Sequence, residues 1–213
     1  VTEATGSALT SATTQFMELD GVSGTYVSTP DSAANSIGQE IIIKADAAAD
    51  DYTPALYNTM VSKYGGAGQR SYYFAIAAGG TGLLEFAYSV DGTAVIAAQS
   101  TTGSGLADGT RHNFRCHYDS TTGDVTFFVD DVQLGSVVSS AGGTIFDSTS
   151  EIEIGSRIGG TSNLFFGKVF SAQIISGTDP TATPAVDCDA GDYVSGSTFV
   201  SSTSGETWTL NGN

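Results

Sequence analysis

The chain has 213 residues, 40% of them hydrophobic, with seven Lys plus Arg against 23 Asp plus Glu and a formal net charge of −16. That balance argues against nucleic acid and anionic membranes as partners, since phosphate binding depends on basic neutralisation; it would also repel sialylated or sulfated glycans. No run reaches the roughly 18 apolar residues of a membrane helix, and no basic n-region precedes an apolar h-region, so neither membrane insertion nor a secretion signal is expected.

The 27 glycines and the low share of charged residues, 14%, fit many short strands joined by tight turns. Residues 1–15 are polar and rich in Thr, Ser and Ala, and read as an arm or linker. Alternating apolar runs predict strands at 16–19, 24–28 and 40–46, with Ile41, Ile43 and Ala45 inward and Ile42 and Lys44 outward. The window 46–57 contains an Ala run, but Pro54 and a mixed pattern favour a loop over a helix. Further strands are expected at 59–64, 71–77, 83–88 and 94–98. The glycine run at 79–82 reads as a hairpin turn and not a phosphate loop, because no helix pattern or Lys-Ser/Thr follows it.

The stretch 108–135 carries the clearest pattern. His112, Phe114, Cys116 and Tyr118 fall on one face of a strand, and Asn113, Arg115 and His117 on the other. Thr121-Thr122-Gly123-Asp124 supplies a turn. Val125, Phe127 and Val129 follow, and Asp130-Asp131 turns the chain into Val132-Gln133-Leu134, giving an antiparallel meander over 111–138. Strands at 151–154 and 164–176, a Ser/Gly/Thr/Pro loop over 176–184 and a hairpin at 197–200 and 206–210 complete the pattern. The expected organisation is one domain over 16–213, with 178–213 as an extension completing it. Cys116 sits on an inward strand face as a small buried hydrophobe. Whether it pairs with Cys188 cannot be deduced from spacing.

Among side chains that could meet a ligand, Tyr73 should face outward when Tyr72, Phe74 and Ile76 face the core, with Arg70 beside it and Tyr64 nearby. Tyr52, Arg157 and Asn163 are loop candidates, and rings of this kind stack on sugar faces. Trp208, which alternates with Leu210, is expected to close the core. His112 and His117 lie on opposite strand faces with no Ser or Cys partner in a recognisable motif.

Several segments resemble one family. The Asp108-Gly109-Thr110 entry, the strand ending Tyr118-Asp119, the Thr-Thr-Gly turn and the Val129-Asp130-Asp131 hairpin are similar to the laminin-G-like, concanavalin A-like jelly roll. So are Ile145-Phe146-Asp147, Ile152-Glu153-Ile154-Gly155 and the closing strand Phe166-Gly167-Lys168-Val169 through Ile174. Upstream, Leu19-Asp20-Gly21-Val22 and the run Tyr26 to Ser32 resemble the family's opening hairpin, so the likeness covers about 16–177, with Trp208 to Gly212 resembling a last strand. The sequence is most similar to modules of tailed-phage virion proteins.

The resemblance implies an all-β jelly-roll β-sandwich of two antiparallel sheets. It also implies a non-catalytic virion-surface structural or adhesion protein, decorating a capsid or associated with a tail. Its expected partners are other virion subunits, in a homo-oligomer or larger assembly, with host carbohydrate as a candidate ligand at an extracellular surface. A secreted bacterial lectin-like adhesin module is the alternative, and a glycoside hydrolase the third reading. No cofactor is required, but many members bind Ca²⁺ at a loop rim through hard oxygen ligands. Asp20, Asp91, Asp108 and Asp147 are the candidates here. Against that site, Val169-Phe170-Ser171-Ala172 stands where many members carry an acidic pair. Jelly-roll glucanases carry an E-x-D-x-x-E strand; Glu151 and Glu153 approach it, but Ser156 replaces the third carboxylate.

Overall fold

The computed structural model describes residues 15–212, so the expected arm at 1–15 lies outside the described residues except for Gln15. Sixteen strands are formed among those residues. They are β1 (Met17–Asp20), β2 (Tyr26–Thr29), β3 (Glu40–Ala49), β4 (Asn58–Tyr64), β5 (Arg70–Ile76), β6 (Leu84–Tyr88), β7 (Ile96–Gln99) and β8 (His112–Asp119). They continue with β9 (Asp124–Val129), β10 (Val132–Gln133), β11 (Val138–Ser139), β12 (Ile152–Ile154), β13 (Phe166–Ser176), β14 (Val186–Asp189), β15 (Thr198–Val200) and β16 (Thr207–Asn211).

The strands form two eight-stranded sheets. The first runs β1-β13-β3-β8-β9-β10, with β11 also on β9 and β14 also on β13; the second runs β15-β16-β2-β12-β4-β5-β6-β7. Every pairing is antiparallel. Period-two alternation decides which residues meet between the sheets. Ile41, Ile43, Phe114, Cys116, Tyr118 and Phe127 from the first face Tyr72, Phe74, Phe86 and Tyr88 from the second, all nearly or fully buried. Phe74 stacks on Phe127 with ring centroids 6.4 Å apart, and Tyr88 meets Tyr118 at 4.5 Å. Burying each large side chain contributes about 1.5–3 kcal/mol, so these aromatics dominate the core's cohesion.

Two elements, β3 and β14, differ from the sequence pattern. β3 runs on through Ala47 and Ala49, whose small side chains lie in the core, so the Ala run is strand and not loop. Ile42 points away from the core by alternation yet is fully buried, as is its cross-strand neighbour Ile175. Lys44, on the same outward face, donates to the carbonyl of Pro180, bringing the segment after β13 back toward that face. β14 was not expected at all: two Asp in four residues give a poor strand signal. Here Asp187 is tied to Gln173 Nε2 at 2.9 Å, while Val186 and Cys188 turn inward. Cys116 and Cys188 are both buried and free.

The last segment engages both sheets, through β14 on β13 and β16 on β2. Trp208 is fully buried, and its Nε1 donates to the Asp187 carbonyl at 2.8 Å, linking β16 back to β14. Trp208→Ala should therefore lower unfolding stability by about 3–5 kcal/mol, measured by urea denaturation. Trp208→Phe, which keeps a ring but drops the hydrogen bond, should cost less.

Candidate functional site

Because Tyr72, Phe74 and Ile76 point into the core, Tyr73 and Ala75 on β5 must point to the outer face of the second sheet. Tyr73 stands opposite Ser62 on β4 and Ala87 on β6, small neighbours that leave room for rings. Tyr64 packs edge-on against it at 5.3 Å and Tyr57 at 6.2 Å. Tyr64, Tyr73, Ala75 and Ala87, with Tyr57 against them, form an apolar cluster separate from the main core.

Two arginines cap this cluster. The Arg157 guanidinium lies 4.1 Å from the Tyr73 ring centre, 5.0 Å from Tyr64 and 5.7 Å from Tyr57; Arg70 lies 5.6 Å from Tyr64. Cation–π contacts of this kind fix a planar guanidinium against aromatic faces. Beneath them Glu85, only 2% exposed, accepts the Tyr73 hydroxyl at 2.5 Å, the Tyr57 hydroxyl at 3.3 Å and Gln99 Nε2 at 2.6 Å. Burial first, and Glu85 second, push the Tyr57 hydroxyl above its ordinary pKa; burial and the Glu85 hydrogen bond do the same to Tyr73, so both stay protonated donors.

The segment between β12 and β13 places Arg157. Glu153, 2% exposed, accepts Ser156 Oγ at 2.5 Å and the backbone amides of Gly159 at 2.8 Å and Gly160 at 3.0 Å. These bonds curl the loop back on itself, with Arg157 and Ser162 exchanging backbone hydrogen bonds. Ile158 is held at φ +59° and Asn163 at φ +51°. Left-handed backbone at a β-branched residue costs on the order of 1–3 kcal/mol. Gly160 has to be glycine: its φ is +74°, and a Cβ would come within 2.4 Å of the Tyr26 ring. The Asn163 carboxamide, turned oxygen-inward, accepts from Arg157 Nε at 3.3 Å and from its Nη2.

A groove of about 580 Å³ opens beside the cluster, lined by Asp51, Leu56, Tyr57, Asn58, Asn163 and Phe166 among others. Leu56 and Phe166 are large apolar residues left 76% and 49% exposed at this groove. Tyr57 and Asn163 belong to both the groove and the arginine–tyrosine cluster.

The structure therefore gathers Tyr64, Arg70, Tyr73, Arg157 and Asn163 but treats them unequally. Tyr64 and Tyr73 are nearly buried under the guanidiniums and act as supports, whereas the sequence pattern had Tyr73 open to solvent. Tyr52 is a correction: it is 1% exposed and packs in the main core against Phe114 at 5.9 Å and His112 at 6.1 Å. Its hydroxyl donates to the Thr110 carbonyl at 2.6 Å, and the small Ala47 and Ala49 of β3 share the core with its ring. Tyr57 and Glu85 were missed. Tyr57 lies in an irregular loop with no period to read, but Glu85 was legible as the outward position between Leu84 and Phe86.

Each candidate calcium ligand is occupied by a donor of the chain itself. Asp20 accepts from Val22 N at 3.0 Å, Asp91 from Thr93 N and Ala94 N at 2.7 Å each, and Asp108 from Tyr52 N at 2.8 Å. Asp147 pairs with Lys63 Nζ at 3.2 Å. Among the described residues no group of three or more His, Cys, Asp or Glu converges as a metal set. Glu153, spent on the loop, is out of reach of a sugar, so the Glu151–Glu153 pair does not offer two carboxylates flanking a bond.

No protein-family model matches the chain, and no curated protein matches it in sequence. Solved structures do match in fold. A Bacteroides ovatus protein described as carbohydrate-binding gives a TM-score of 0.62 at 15% identity, over 89% of this chain and 58% of that one. Domains LG4-5 of the mouse laminin alpha1 chain give 0.56 at 12% identity, over 80% and 44%. The CBM40 of the Ruminococcus gnavus IT-sialidase, bound to alpha2,3 sialyllactose, gives 0.52 at 10% identity, over 73% and 89%. The chain thus spans little more than half of the first protein and less than half of the second. Its fold is the all-β jelly-roll sandwich of laminin-G and carbohydrate-binding-module domains.

Glu153 supplies a pH signature. Burial, outweighing its three donors, raises its pKa above the ordinary carboxylate value. The folded chain therefore holds this proton more tightly than the unfolded chain. The resulting stability is present below the unfolded pKa and lost as pH rises through the raised folded one. The melting temperature of the wild type relative to Glu153→Gln should fall as pH rises above the ordinary glutamate value of about 4. A difference that is flat or rises with pH would show that the donors dominate.

Proposed function

We propose that the chain is a non-catalytic carbohydrate-binding module, acting outside the cell, whose ligand lies along the groove and against the arginine–tyrosine cluster. The observation that carries this reading is that Tyr57 and Asn163, which line that groove, both contact Arg157, and that Tyr57 and Arg157 are half-exposed. A sugar ring presents an apolar face for stacking and hydroxyls for planar donors and amides, and this surface offers both. Glu85 and the Glu153-bound loop hold these groups before any ligand arrives, which lowers the ordering cost of binding. We take 16–213 as the binding unit, with 178–213 part of it.

The narrower setting is a virion-surface subunit in a homo-oligomer or larger assembly, and the support for it is the sequence resemblance to tailed-phage modules. Native mass spectrometry of protein from its source should then give an assembly or co-purifying virion subunits; a lone monomer favours the secreted lectin-like module.

Glycan-array screening followed by titration calorimetry tests the site. Tyr57→Ala and Arg157→Ala should each weaken the best sugar ligand about tenfold, a loss of about 1.4 kcal/mol, with the circular dichroism of the folded sandwich retained. Wild-type affinity in both variants would place binding elsewhere.

A further inference from the structure

We infer that the sugar recognised is an acidic one, its carboxylate received by Arg157 and Arg70; this rests on the carbohydrate-binding reading above. Four arginines are present. Arg111 pairs with Asp46 at 2.6 Å and Arg115 with Asp131 at 3.6 Å. Arg157 and Arg70 have no carboxylate within ion-pair distance among the described residues, although the chain carries 23 acidic side chains. Both sit against the same Tyr64 ring, at 5.0 and 5.6 Å. Their hydrogen bonds go to neutral oxygens, Arg157 to Asn163 and Arg70 Nη1 to the Thr93 carbonyl at 2.5 Å, so the charges themselves are left uncompensated.

The nearest buried carboxylates are committed elsewhere. Glu85 is taken by Tyr73, Tyr57 and Gln99, and Glu153 by Ser156, Gly159 and Gly160. The loop carrying Arg157 accepts left-handed backbone at Ile158 and Asn163 to hold its position, a strain that marks sites where geometry serves more than folding. The two guanidiniums, 5.0 and 5.6 Å from one Tyr64 ring centre, each keep N–H donors beyond those given to Asn163 and Thr93, and a carboxylate accepts such planar donors.

The net charge of −16 does not forbid this. At physiological salt, charges more than roughly 8 Å away are largely screened. A ligand carboxylate in contact with the arginines responds chiefly to them. The acidity that would repel a polyanion at long range therefore leaves a short acidic oligosaccharide able to bind.

The test is titration calorimetry of the full chain, in EDTA to remove cation bridging, with trigalacturonate, its carboxyl-reduced counterpart, 3′-sialyllactose and lactose. At least one acidic sugar should bind ten or more times tighter than its neutral partner, and the two acidic arms distinguish a uronate from a sialic acid. Arg157→Ala and Arg70→Ala should each remove most of that preference, and Arg157→Lys should restore it only in part, because an ammonium lacks the planar fork. Equal binding of acidic and neutral sugars would overturn the inference and leave carbohydrate binding standing. An acidic preference unchanged in both arginine variants would overturn the assignment to this site. Failure of all four sugars, together with an empty glycan array, would overturn both readings.

Discussion

Each inward residue on a central strand commits its neighbours to the opposite face, and the candidate site follows from that constraint. Tyr72, Phe74 and Ile76 on β5, with Leu84, Phe86 and Tyr88 on β6, are drawn inward by the aromatic core between the sheets. Tyr73 and Glu85 are thereby forced outward, where solvent alone would leave a ring and a charge poorly matched. Tyr57, Tyr64 and two arginines gather over them. The outer cluster is the necessary counterpart of the inner one.

Two buried carboxylates do different work on this face. Glu85 orients two tyrosine hydroxyls and a glutamine, so that the rings have fixed edges and their faces remain for a cation. Glu153 gathers a hydroxyl and two backbone amides, shaping the loop that presents Arg157. Neither is paired with a cation, which would ordinarily make a buried carboxylate costly. Dense hydrogen bonding offsets part of that cost, and the raised pKa of Glu153 shows that burial still outweighs it. A carboxylate on this strand that resembles half of a hydrolytic pair is thus a brace for the loop that carries Arg157.

Charge distribution adds a second level. Several acidic side chains serve turns, as at Asp91, Asp119 and Asp179, each accepting backbone amides close in sequence. Asp20 and Asp91, two of the four calcium candidates, are occupied in this way. The cations are allotted more unevenly: Lys63 is buried between Asp31 and Asp147, while the arginines of the outer face are left to tyrosines.

The sequence by itself determined the sandwich. Alternation in 111–138 and 71–88, glycine-rich turns and the absence of helical period fix a two-sheet β architecture, because a period of two allows no other burial. It also placed Tyr73 on an outward face with Arg70 beside it, since alternation is visible in one dimension, and named Arg157 as a loop residue. Only the tertiary structure decided how these residues meet. Tyr57 comes from an irregular loop, Glu85 becomes a brace only once β5 and β7 flank it, and Tyr52 is buried because β3 extends through small alanines. β14 escaped notice because Asp187 finds its partners on β13 and just after β15, and no local pattern records a partner distant in sequence. Faces are a local property of the chain; the company a face keeps is set by which strands the fold brings beside it.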